Sequence, residues 1–282
     1  LKTSAAEIVN SVEKNTKARV LLFVDPCYGG CDIRDEEAKR ANCDLLIHVG
    51  HRPFLKNHCM KVIYIDVESK FNKSKIAAGI DKILDILNKK KIRSIAVCST
   101  VYEKNVADYI ARELKNRGIK AINAGFVLGC NLLKLAKIGK KVDAVIYYGD
   151  DNFYAVGIAK LKKPLFVMRS NGSIEKIDTI IEKMERIRFA NIAKAKDAER
   201  FAILLSSKRG QLNMRKALET KKLIEEHCKE AIIVISDFVK PEYLLGIDVD
   251  AYVLVACPRI MDDSKLFKKP LILPKDLKFI LQ

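Results

Sequence analysis

One short pattern stands three times in this chain: an aspartate followed by an apolar run of strand length. Asn42-Cys43-Asp44-Leu45-Leu46-Ile47-His48-Val49-Gly50-His51 matches Lys141-Val142-Asp143-Ala144-Val145-Ile146-Tyr147-Tyr148-Gly149-Asp150. Both match Asp248-Val249-Asp250-Ala251-Tyr252-Val253-Leu254-Val255-Ala256-Cys257. Asp44, Asp143 and Asp250 lie 99 and then 107 residues apart. A period that long is foreign to solenoids of short repeats and fits three fused units instead.

The segments around each repeat read alike. A strand is expected before each aspartate, at 19–25, 119–126 and 231–237, and another after it, at 61–67, 164–169 and 270–273. Further strands at 94–99 and 201–206 open the second and third units, and the first unit shows no comparable opening strand. Apolar residues recur at helical spacing over 75–88, 101–117, 174–192 and 213–229, with charges between them. Continuous apolar strands alternating with amphipathic helices predict parallel sheets covered on both faces. The expected fold class is therefore α/β: three fused parallel-sheet units around a pseudo-threefold central site. Their expected extents are 1–90, an abbreviated first domain, then 91–190 and 191–282.

The chain has 282 residues, 49% of them hydrophobic, which suffices for several cores. Its net charge of +17 predicts either a solvated lysine-rich surface or an acidic macromolecular partner. Lysine is spread along the whole chain, which argues against a dedicated nucleic-acid arm. No apolar stretch approaches the roughly 18 residues of a membrane span, and residues 1–16 read as an amphipathic helix rather than a signal peptide. A cytoplasmic location follows as the expectation, with thiols kept reduced.

In that setting eight cysteines are ligands, nucleophiles or small buried groups rather than disulfides. Cys43, Cys59, Cys98 and Cys228 read as structural. Cys31, Cys130 and Cys257 are different, because each is expected to follow a strand directly. In parallel α/β sheets, ligands bind outside the carboxyl ends of the strands. These three thiols are too far apart in sequence for a local metal knuckle and can meet only where the three units converge. Three thiolates on a four-iron cluster leave one iron open to a substrate. Cys27 lies four residues before Cys31, but one loop with two cysteines cannot hold a cluster.

Other polar groups cluster at expected strand ends. Ser206-Ser207-Lys208-Arg209-Gly210-Gln211 stands between a strand and a helix, where backbone N–H groups and two cations suit an anion. His51 lies just past a strand, placed to contact a substrate or orient a ligand. Asp150-Asp151-Asn152-Phe153 takes the matching place in the second unit and reads as a polar pocket wall. There is no P-loop, dinucleotide fingerprint, zinc knuckle or Ser-His-Asp order.

Several stretches match one family in order and spacing: Asp25-Pro26-Cys27-Tyr28-Gly29-Gly30-Cys31-Asp32, Asp44 through His51, Leu128-Gly129-Cys130, Tyr148-Gly149-Asp150-Asp151-Asn152-Phe153, Lys208-Arg209-Gly210-Gln211 and Ala256-Cys257-Pro258-Arg259. Together the chain resembles the diphthamide-synthesis 3-amino-3-carboxypropyltransferases in their archaeal homodimeric form. The resemblance implies three α/β domains, each giving one cysteine, here Cys31, Cys130 and Cys257, to a 4Fe–4S cluster. It implies that S-adenosylmethionine binds the open iron and is cleaved reductively at the methionine γ-carbon. A 3-amino-3-carboxypropyl radical then adds to C2 of a histidine imidazole on translation elongation factor 2, and methylthioadenosine is released. Lys208, Arg209, Gly210 and Gln211 are expected to hold the carboxylate end of S-adenosylmethionine, with His51, Tyr28 and Asp150 around the same pocket. The expected partners are the elongation factor, an unidentified electron donor and a second copy of the chain, with no membrane and no direct nucleic acid. Three departures from the family pattern stand on the substrate side: Arg52-Pro53-Phe54 after His51, Asp151 where glycine is expected, and Tyr154 where histidine is common.

Two other readings remain at this point. One is a quinolinate-synthase-like dehydratase, which resembles the same three-domain plan with an open iron acting as Lewis acid. The other is a basic, non-enzymatic module that binds RNA or the ribosome. Release of methylthioadenosine separates the first from a transferase, and iron content separates the second from both.

Overall fold

The structure is a computed structural model that describes residues 4–127 and 132–281. Cys130 therefore lies outside the described residues. Helix α1 (Ala5–Asn15) and the short α2 (Asp35–Arg40) precede a two-stranded parallel sheet of β1 (Leu46–Val49) and β2 (Val62–Ile65). Helix α3 (Lys73–Lys89) leads into β3 (Ser94–Ser99), α4 (Lys104–Asn116), β4 (Lys120–Phe126), α5 (Leu133–Gly139), β5 (Ala144–Tyr148), α6 (Phe153–Ala159), β6 (Leu165–Met168) and β7 (Ile174–Lys176). Helix α7 (Ile177–Lys194) passes to β8 (Arg200–Ser206), α8 (Met214–Glu225), β9 (Glu230–Ser236), β10 (Ala251–Leu254) and β11 (Leu271–Ile272).

The strand orders are β4-β3-β5-β6-β7 in one sheet and β11-β10-β8-β9 in another. Read from the opening strand outward, the two sheets share one topology: β3 and β8 sit between β4 and β5, and between β9 and β10. Every pairing is parallel except β6 with β7. That antiparallel edge strand takes up the first residues of the stretch expected to be helical from 174, so the helix starts at Ile177 instead.

The repeated aspartate has a structural task. Asp143 accepts hydrogen bonds from the backbone N–H of Arg93 and Ser94 and from the Ser94 hydroxyl, at 3.1, 2.8 and 2.8 Å. Asp250 does the same for Glu199 and Arg200, at 3.2 and 2.9 Å. Each carboxylate at the start of a central strand thus caps the opening strand beside it.

Residues 19–25 form no strand, contrary to expectation. In the complete units the corresponding strands, β4 and β9, pair only with β3 and β8. Among the described residues the first sheet consists of β1 and β2, and segment 19–25 is not part of it. Leu21 and Val24 are 61% and 68% exposed, whereas β3 and β8 are almost wholly buried.

Helices cover both faces of the larger sheets. Ile76, Ile80, Ile83 and Leu87 of α3 lie one helical turn apart and pack with Val106, Ile110 and Leu114 of α4 against β3 and β5. Asn72 caps α3 by accepting from the N–H of Ser74 and Lys75. Burial of each such side chain contributes about 1.5–3 kcal/mol. Helix α7 gives Ile177 and Ile180 to the core of the second sheet and Ile192 to that of the third. It thereby holds the two sheets as one body. No helix among the described residues is long and apolar enough to cross a membrane.

Candidate active site

The Cys31 turn is built by its neighbours. The N–H of Asp32 donates to the Gly29 carbonyl at 2.9 Å, and the Asp32 carboxylate accepts from the Tyr28 N–H at 3.1 Å. Asp32 is almost fully buried, and the Lys208 ammonium meets it at 2.5 Å. A buried carboxylate needs such a partner, because an unpaired one carries a large desolvation cost. The Gly210 N–H donates to the Cys31 carbonyl at 3.2 Å. A Cβ at position 210 would lie 2.5 Å from that oxygen and 2.6 Å from the Cys31 Cβ, so only glycine allows this approach. Gln211 then points its amide Nε2 at the Cys31 sulfur, 3.6 Å away.

Cys257 follows β10 and stands at the mouth of the 3-10 segment Pro258–Leu266. Two phenols report its neighbourhood. The Tyr154 hydroxyl is pushed up to about 12 by burial, with Arg259 opposing and Asp151, Cys257 and Cys31 adding to the rise. Tyr28 is raised by burial and then by Asp32, Asp263 and Cys257. Cys31 and Cys257, 226 residues apart in sequence, therefore act on the same tyrosine. Arg259 stacks over Phe153 and Tyr154, 5.9 and 6.0 Å from the ring centres.

The second unit supplies the wall. Asp151 accepts from the Tyr147 hydroxyl at 2.5 Å and from the Tyr154 N–H at 3.0 Å. The departure from glycine at 151 thus anchors the other departure, Tyr154. Buried Arg169 ties the same turn down, donating to the carbonyls of Gly149 and Asp151, to Asn152 and to Glu175 at 2.6–3.0 Å. Asp150 accepts from the Ser170 N–H at 2.9 Å and lines a cleft of about 750 Å³ with Arg169, Asn171 and Lys183.

His51 is half-buried. Its Nδ1 lies 3.1 Å from His48 Nε2, and its Nε2 lies 3.1 Å from the Tyr102 hydroxyl. Burial lowers both imidazoles, His48 to about 4. The Cys27 sulfur is 4.0 and 3.9 Å from the two ring nitrogens, and burial pushes its thiol up to about 11.

The loop at 207–211 differs from an open anion cradle. Lys208 is held by Asp32 and, at 3.4 Å, by Asp237, with the Phe238 ring centre 3.9 Å away. Arg209 grips fully buried Asp35 through both carboxylate oxygens at 2.9 and 2.8 Å. These cations already have protein carboxylates as partners, so the loop meets the site through Gly210 and Gln211. Nothing in the spacing of residues 176 apart announces that pairing. Tyr102 and Asp32 were equally silent in the sequence, although Asp32 and Arg259 lie inside stretches that match the family.

The remaining cysteines divide as their surroundings dictate. Cys98 is buried within β3, where burial raises its thiol. Cys59 gives its backbone N–H to Asp35 at 3.0 Å. Cys228 takes a left-handed backbone angle, φ +58°, just after α8.

The whole chain, residues 1–282, matches the family model described as "Putative diphthamide synthesis protein". It is 33% identical over 293 residues to the 2-(3-amino-3-carboxypropyl)histidine synthase of Pyrococcus horikoshii, covering 100% of this chain and 83% of that protein. It is 29% identical to the enzyme of the same name from Methanocaldococcus jannaschii, covering 96% and 77%. The crystal structure of Dph2 from Pyrococcus horikoshii with a 4Fe-4S cluster superimposes with a TM-score of 0.82 at 30% identity, over 100% of this chain and 83% of that one. The chain belongs to the diphthamide synthesis protein family.

Proposed function

We propose that this chain is a 2-(3-amino-3-carboxypropyl)histidine synthase. It transfers the 3-amino-3-carboxypropyl group of S-adenosylmethionine to C2 of a histidine imidazole on translation elongation factor 2. The observation that carries this reading is that Cys31 and Cys257, from different units, both raise the Tyr154 hydroxyl, in a chain whose solved relative holds a 4Fe-4S cluster.

The residues present suit such a cluster. Thiols from two different units act on one tyrosine, a glycine gives the Cys31 turn the room it needs, and an amide N–H is aimed at the Cys31 sulfur. Cys31 and Cys257, with Cys130 as the third, are the proposed ligands. When bound, the cluster supplies an electron and an open iron for S-adenosylmethionine. Gln211 steadies the negative charge on the Cys31 sulfur by donating to it. Tyr154 and Tyr28, both raised, stay protonated near neutral pH and offer neutral O–H donors. Arg259 carries a cation with no ion pair among the described residues, and it is the proposed partner of the methionine carboxylate. The rings of Phe153, Tyr154 and Tyr28 exclude water from the transferred group. In the reaction the bond from sulfur to the γ-carbon breaks and methylthioadenosine leaves, a bond from that carbon to imidazole C2 forms, and the C2 hydrogen departs as a proton and an electron, so that the overall transfer is redox-neutral.

The domain extents 1–90, 91–190 and 191–282, the homodimer and the cytoplasmic location belong to the same reading. Their support is the family and, for the domains, the three separate sheets. The test is anaerobic reconstitution with iron and sulfide, then addition of a reductant, S-adenosylmethionine and the elongation factor. Methylthioadenosine and a modified histidine are expected in equal amounts. Cys31→Ala, Cys130→Ala and Cys257→Ala should each lose most of the iron and all product. Full iron retention in Cys31→Ala with loss in Cys27→Ala would move the ligand within the turn, and a wild type without methylthioadenosine would refute the function.

A further inference from the structure

Cys27, His48 and His51 form a cluster that the proposed reaction does not use. Their donor atoms, one sulfur and two ring nitrogens, all lie within 4.8 Å of one another. The chain brings them together for definable reasons. His48 is the penultimate residue of β1, and on a regular strand a residue three positions on would point to the opposite face. Gly50 stands between them at φ +85°, a left-handed angle that turns the backbone and swings His51 to the side of His48. A Cβ at Gly50 would lie 2.5 Å from the Tyr102 ring, so the same glycine lets Tyr102 approach His51.

We propose that Cys27, His48 and His51 bind one divalent metal ion of the zinc class, separate from the iron–sulfur site. A tetrahedral zinc ion with bonds of about 2.0–2.1 Å to nitrogen and 2.3 Å to sulfur sets its ligand atoms roughly 3.3–3.6 Å apart. The two nitrogens here are 3.1 Å apart, and the sulfur lies 3.9 and 4.0 Å from them. A shift of a few tenths of an ångström in the exposed Cys27 side chain completes three corners. The fourth corner is left to water or a small ligand.

One further contact fits a ligand role. A metal-bound histidine fixes its ring by donating its other N–H to a neighbouring group. Tyr102 provides that acceptor for His51, on Nε2, leaving Nδ1 to face the common centre. Without an ion, the two rings satisfy each other with a single hydrogen bond. With one, the turn carrying Cys31 is tied to the end of β1, because Cys27 lies in that turn.

The test uses holoenzyme reconstituted with iron and sulfide in zinc-free buffer, then titrated anaerobically with zinc chloride and desalted. One zinc per chain is expected, with iron content unchanged. The zinc K-edge fine structure should show one sulfur and two nitrogens. Cys27→Ser or His51→Gln should weaken zinc binding by roughly 100-fold or more, and Tyr102→Phe by about 10–100-fold. Cys228→Ser, at an exposed site after α8, should leave it unaltered. The spectrum of the wild type reads the ligands without any substitution, so a variant that fails to fold does not decide the matter. A wild type that retains no zinc overturns the proposal. So does binding that survives both ligand substitutions, or a spectrum with two or more sulfurs, which would put zinc on the iron ligands. The zinc readout is independent of methylthioadenosine release, so either conclusion can fall while the other stands.

Discussion

Lys208 shows how a polar loop in a sequence becomes a buried strut. Its ammonium and the Asp32 carboxylate are 3% and 1% exposed, next to the turn that carries Cys31. Removing one partner of such a pair leaves an uncompensated buried charge, a loss of about 3–5 kcal/mol. Lys208→Met is therefore expected to lower the urea midpoint of unfolding strongly. Adding Asp32→Leu to that variant should return much of the loss, since neither charge is then left alone. If Lys208→Met is as stable as wild type, the pair contributes little and the loop is free to serve an anion.

Among the elements, the repeated aspartates make the clearest case for a sequence signal with a structural cause. Asp143 and Asp250 are held below the ordinary carboxylate value of 3.8, Asp143 chiefly by the Ser94 hydroxyl and Asp250 chiefly by the Arg200 N–H. A depressed folded value means stability that is present above the unfolded value and lost as pH falls through the folded one. Asp143→Asn should lower the melting temperature at neutral pH by about 2–4 °C. The gap to wild type should narrow as pH falls through the depressed folded value, below which the aspartate is protonated in both states. A gap that stays constant from neutral to acid pH would show that the charge of Asp143 is not what caps β3.

Taken as one body, the molecule joins its first and third sheets by ion pairs: Lys208 with Asp32, Arg209 with Asp35, and Arg34 with Asp237. These one-to-one pairs leave the net charge of the chain, +17, unchanged. Such a surface attracts an acidic protein partner over about a Debye length, roughly 10 Å at 0.1 M salt. Raising the salt from about 0.05 to 0.3 M should therefore raise the KM for the proposed elongation-factor substrate several-fold. Cleavage of S-adenosylmethionine without acceptor should be unaffected. A salt-independent KM would mean that the excess lysine is only solvated surface.

The fold class was legible because the period of the apolar pattern is local: strand runs, helical spacing and the capping aspartates all act within one unit. Segment 19–25 was misread for the complementary reason. Its apolar composition suits a strand, but a strand exists only if a neighbour supplies the ladder, and that depends on topology. The site divides the same way. Cys257 and His51 stand just past β10 and β1, where parallel sheets place ligands, whereas Cys31 was singled out by an expected strand over 19–25 that does not form. The partners of Lys208 and Arg209, the amide aimed at Cys31 and the Cys27–His48–His51 cluster were not legible. Each joins residues from separate segments, and burial and charge balance between distant side chains exist only once the units have packed.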